Sequence, residues 1–156
     1  MSHVSLIVIL VGLLVSSAST ARAQSEAGTV TAAISGVFAG PTPVAGISVD
    51  GLTVGTGAIL NSDGTATGTF YAVLAGVSAA GMPHHITVDG SVAAGRLAGG
   101  GQAELAGTAQ LDLGDGTHPL PAVPFSVIAT ADTLLVTIDA TPLSAAAITK
   151  GAIAIE

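Results

Sequence analysis

The chain has 156 residues with no cysteine, no tryptophan and a formal net charge of −7. Its three basic side chains are too few and too scattered to form the Lys/Arg cluster that displaces counterions from phosphates, which excludes nucleic acid and anionic lipid surfaces as partners. Charged residues make up 8% of the chain against a usual quarter, and without disulfides the fold must be held by burial and backbone pairing.

Residues 1–23 read as a cleavable secretory signal peptide. An apolar run from Leu6 to Val15 is followed by small polar residues and by Ala21-Arg22-Ala23, a small-x-small cleavage site before Gln24. The leading Met1-Ser2-His3-Val4-Ser5 lacks the customary Lys or Arg, which leaves an uncleaved anchor as the alternative. The apolar run is short for a bilayer span, no second long one follows, and Ala152–Glu156 carries no recognisable anchor. The expected product is therefore a single all-β domain, 24–156, outside the cytoplasm, with no membrane span. It keeps two basic side chains, Arg96 and Lys150, against ten acidic ones, a formal charge of −8.

From residue 28 onward apolar and polar positions alternate with a period of two, the pattern of strands with one face on a core. Val30, Ala32, Ile34, Gly36 and Phe38 face one way, and Thr29, Thr31, Ala33 and Ser35 the other. Over 65–75 the inward set is Ala66, Gly68, Phe70, Ala72 and Leu74, opposite Thr65, Thr67, Thr69 and Tyr71. Over 102–113 it is Ala103, Leu105, Gly107, Ala109, Leu111 and Leu113. Turn signals separate such runs: Asp50-Gly51, Asp63-Gly64, Asp89-Gly90, Asp115-Gly116 and Lys150-Gly151, since Asp-Gly accepts the positive φ of two-residue hairpins. About ten short strands result, with no crossover helices, so the expected fold is an antiparallel β-sandwich or a small closed β-barrel.

Residues 28–40 match 64–76 at six of 13 positions, and Ile47-Ser48-Val49-Asp50-Gly51 returns as Ile86-Thr87-Val88-Asp89-Gly90. The two offsets differ, so this is a repeated hairpin pattern and not a solenoid. Small inward residues bring facing walls close and leave little room for a ligand cup. One Tyr and three Phe cannot make the aromatic girdles of a transmembrane barrel.

His84 and His85 open the strand that contains Ile86 and Val88. Alternation sends His84 to the face of Ile86 and Val88, and His85 to that of Thr87 and Asp89, so the two rings diverge. His85 and Asp89 lie about 13 Å apart at strand rise, too far to share an ion. A divalent-metal or small-ligand site would need His118 and Asp115, from Gly114-Asp115-Gly116-Thr117-His118, folded against His85. Asn61-Ser62-Asp63-Gly64 and Asp112–Gly116 have carboxylates at tight turns but lack the alternating oxygens and terminal Glu of a calcium loop.

No cysteine nucleophile, G-x-S-x-G elbow, H-E-x-x-H helix or phosphate-cradling glycine loop occurs, and the acidic residues are dispersed among turns. No catalytic residue and no cofactor is assigned. Tyr71, alone among the aromatics, points outward, a weak platform for sugar stacking. The leading expectation is an exported, non-enzymatic β-domain serving as a structural or protein-interaction module. It would meet a protein partner, or itself, through strand edges or a sheet face. The alternatives are a metal- or small-ligand-binding domain using His85, His118 and Asp115, and an extracellular hydrolase.

Overall fold

The computed structural model describes residues 26–156, so the expected signal segment lies outside the described residues. Nine strands form one antiparallel sheet: β1 (Gly28–Val44), β2 (Ile47–Leu60), β3 (Thr65–Val77), β4 (Pro83–Ala98), β5 (Gln102–Asp112), β6 (Leu120–Ala129), β7 (Thr133–Ile138), β8 (Thr141–Pro142) and β9 (Ala146–Ile155). Its order is β6-β5-β4-β3-β2-β1-β9-β7-β8, and β6 also pairs with β7. That last pairing joins β6, at one end of the order, to β7, next to the other end, so the sheet closes on itself with the short β8 as a branch on β7, and its inner face becomes the core.

The alternation written in the sequence is the burial pattern. Val30, Ala32, Ile34 and Phe38 of β1, Phe70, Ala72 and Leu74 of β3, and Ala103, Leu105, Ala109 and Leu111 of β5 are all buried in one hydrophobic cluster. Phe70 and Phe125 stack at its centre, with ring centroids 4.8 Å apart and planes 21° from parallel. No buried side-chain nitrogen or oxygen lacks a hydrogen-bond partner among the described residues.

Several strands are longer than expected: β1 has 17 residues and β4 has 16. Of the five turn signals, Asp63-Gly64 and Asp115-Gly116 do lie between strands, with φ of 86° and 83° at the glycines. The chain runs straight through the others. Gly51 sits at a register shift in β2, and Gly151, φ 87°, lies in β9 beside another. Gly90 lies in mid-strand because space inside the barrel demands it: a Cβ there would stand 2.8 Å from Ala109 Cβ and 2.9 Å from Phe125 Cε1.

The seam between β7 and β9 is narrow. Only Thr133 with Ala147 and Leu134 with Ala146 pair across it, extended by Ile148 N–H donating to Asp132 O at 3.1 Å. On one side of the seam Leu143 N–H donates to Val136 O, and Thr42 Oγ1, buried at the end of β1, bonds Ser144 Oγ at 2.9 Å. On the other side β9 rises past the start of β7 and, among the described residues, pairs only with β1.

Candidate functional site

The histidine pair behaves as alternation requires: His84 is half-buried on the inner side and His85 is exposed on the outer. The loop after β5 does return to this strand. A Cβ added to Gly114 would run into His85 O and stand 3.6 Å from His84 Nε2, and Gly114 has a positive φ of 68°. The ring turned toward the loop is His84, whose Nε2 is hydrogen-bonded to Leu113 O. Sequence reasoning pairs the loop with His85 and passes over His84. The missed signal is that the inner-face ring is the one near Leu113, the last inward position of its own run.

Asp115 is committed within its loop. Its Oδ1 accepts the Thr117 hydroxyl at 2.6 Å and the Thr117 N–H at 2.9 Å. The hydroxyl bond is the largest influence holding its carboxyl below the ordinary 3.8, followed by the Thr117 N–H, and nearby His84 adds to it. Asp63 is held low in the same way by Thr65, whose hydroxyl and N–H it accepts at 2.7 and 2.9 Å. Both carboxylates cap tight turns. His118 is exposed. Among the described residues no three His, Cys, Asp or Glu side chains form a group that could hold a metal ion.

At the same end of the barrel a cleft of about 320 Å³ opens between the β1–β2 turn and the start of β6. Val44, Leu111, Val123 and Ile138 line it, with Leu120 and Asp139 also on its walls. Non-glycine residues with positive φ border it too: Ala45 (48°), Ala122 (55°) and Asp139 (54°). The first is the leading residue of a two-residue hairpin turn, Asp139 follows the end of β7, and Ala122 lies at a β6 bulge beside Pro121.

A further surface with chemical character is the outer wall of β1, β2 and β3. The register builds rows across it: Ser35, Thr53 and Val73; Ala33, Gly55 and Tyr71; Thr31, Gly57 and Thr69; Thr29, Ile59 and Thr67. None of these is charged. Tyr71 is 47% exposed, Val37 51% and Ile59 61%. Nothing lies within 4 Å of the Cβ positions of Gly55 or Gly57, so the Tyr71 ring does not fold back over its glycine neighbour and the trough beside it is open. Charges border these rows: Asp50, exposed in β2 next to the Gly51 that pairs with Val37, Asp89 beside Tyr71 on β4, and Lys150 beside Ser35 on β9. Sequence alternation marks Tyr71 as outward, but the lateral neighbours that make a surface of it come from strand register.

No helix among the described residues is long and apolar enough to cross a membrane. No family model matches the chain, and neither a curated protein nor a solved structure matches it.

Proposed function

We propose that the protein is an exported, non-enzymatic β-barrel domain that works as an interaction module, meeting a partner protein through the outer wall of β1–β3. One observation carries this reading. Four successive rows across three strands bear no charge and expose Tyr71 and Ile59, with Val37 exposed just beyond them, whereas association surfaces are marked by aromatic enrichment and depletion of charge at their centre. The barrel interior supports the same reading, because it is filled by Phe70, Phe125 and the aliphatic cluster and so leaves no cup for a ligand.

The test places a photoreactive residue at Tyr71 and, as a control, at Gln110 on the outer face of β5. The full-length protein is then cross-linked in the cells that make it. Discrete adducts from Tyr71, absent from Gln110 and lost when Val37 and Ile59 are changed to Lys, support the reading. Equal adducts from both positions, or none from either, sink it. Export is tested on the same material: the released chain should begin at Gln24.

A further inference from the structure

Among the described residues, β9 is a long strand with one side largely unmatched. Glu156 and Thr29 exchange both backbone hydrogen bonds, at 3.0 and 2.7 Å, which fixes the parity of the β1–β9 ladder. Ala154 and Ala152, opposite Thr31 and Ala33, likewise direct their N–H and C=O toward β1. Ile155, Ile153 and Gly151 direct theirs the other way, where no strand pairs with β9 beyond Ile148 among the described residues. We propose that this edge docks a second copy of the chain, β9 against β9 in antiparallel register centred on Ile153.

Charge picks the occupant and the register. Pairing Ile153 with its own symmetry mate sets Gly151 opposite Ile155, so that outward-directed backbone groups meet outward-directed ones. The same register sets Lys150 opposite Glu156 on the outer face, twice by symmetry. An edge lysine ordinarily deters association because it would be left beside an unpaired sheet. Here it meets a carboxylate, and Lys150 has no ion-pair partner of its own among the described residues, where the ion pair formed is that of Arg96 with Glu104. Slipping the register by two residues keeps the backbone parity but loses both charge pairs. On the inner face Ile153 would meet its own symmetry mate and Ile155 would cover Gly151 of the second copy, extending the apolar face.

This edge is separate from the β1–β3 wall, so either idea can fail alone. Sedimentation velocity over a wide range of protein concentration should show a reversible monomer–dimer equilibrium that weakens with added salt. Lys150→Glu and Glu156→Lys should each weaken dimerisation by roughly tenfold, since each turns two cross-strand attractions into repulsions. Both side chains are exposed, so folding should be unaffected. Mixing the two single variants should form a heterodimer tighter than either homodimer, because both cross-strand pairs are then again between opposite charges; the double variant should recover the original affinity. A protein that stays monomeric throughout, or a dimer indifferent to both reversals, overturns the proposal. A dimer lost on Tyr71→Lys but not on Lys150→Glu also overturns it, by moving self-association to the wall.

Discussion

Gly90→Ala tests why a residue with a turn signature sits in the middle of a strand. Gly90 does not have a positive φ, so alanine suits its backbone, and with space to spare the change would stabilise by about 0.4–1 kcal/mol. The space is missing: the new methyl would meet Ala109 Cβ at 2.8 Å, Phe125 Cε1 at 2.9 Å and Thr108 O at 2.9 Å. Ala109 and Thr108 belong to the neighbouring strand and cannot withdraw without disturbing the β4–β5 ladder. Phe125 is held in the stack with Phe70. Overpacking of this kind costs about 1–3 kcal/mol, so the net expectation is a loss of roughly 1–2 kcal/mol. Urea unfolding of the purified protein measures it as a lower midpoint at constant slope. Phe125→Leu alone also destabilises, by losing the ring contact, but in its presence Gly90→Ala should cost clearly less, a coupling of about 0.5–1 kcal/mol or more. A neutral or stabilising Gly90→Ala, or strict additivity with Phe125→Leu, would refute the close packing of Gly90 against the aromatic pair.

Thr117→Val should raise the Asp115 carboxyl midpoint toward its ordinary value, read by carbon NMR titration, while Asp63 stays low until Thr65 is changed. Because both carboxyls are depressed in the fold, their contribution is complete above the ordinary carboxyl range and is lost as pH falls through the lowered folded values. His84→Ala should cost about 1 kcal/mol and increase amide exchange in Leu113–Thr117, through loss of the bond to Leu113 O, whereas His85→Ala should leave both unchanged. Zinc, copper, nickel and calcium should leave the melting temperature unchanged, and a clear rise with any of them, abolished by His118→Ala, would favour the metal reading over the interaction module. Phe70→Ala, at a fully buried position, should cost about 3–5 kcal/mol.

The inside and outside of the strands were legible because alternation is local: one residue's face fixes its neighbours'. Strand ends were less so. Asp-Gly marks a turn through the positive φ that glycine permits, and Gly64 and Gly116 use that freedom. Gly90 uses the other property of glycine, its missing side chain, and a sequence does not distinguish the two. Closure was beyond reach for a different reason. It depends on Thr29 meeting Glu156, a contact that joins the first and last strands with no shared local signal. The loop return to His84 is of the same kind, since the positive φ of Gly114 aims a segment that the residues alone leave unaimed.

Closure also bears on what the surface is for. A sheet needs charged or kinked edge residues to prevent pairing with other chains, and a closed sheet has little edge to protect. Among the described residues the long unmatched edge is that of β9 beyond Ile148, the edge the proposed dimer would cover. The outer face of β4 and β5 carries Asp89, Arg96 and Glu104, which keep that side of the barrel hydrated. The threonines of β1 and β3 follow from strand preference for β-branched residues on a solvated face. Strand preference would be met as well by threonine at Val37, Ile59 and Tyr71, which nevertheless stand exposed in and beside the uncharged rows, where the outer space at Gly55 and Gly57 is vacant. Each could be threonine without loss to the core, so their cost in exposed apolar area is borne by something outside the fold. Val37→Thr and Ile59→Thr together should therefore leave unfolding within about 0.5 kcal/mol of the original while abolishing the cross-links from Tyr71. A loss of stability well beyond that would make the two side chains part of the barrel's own packing and remove the reason for assigning the wall to a partner.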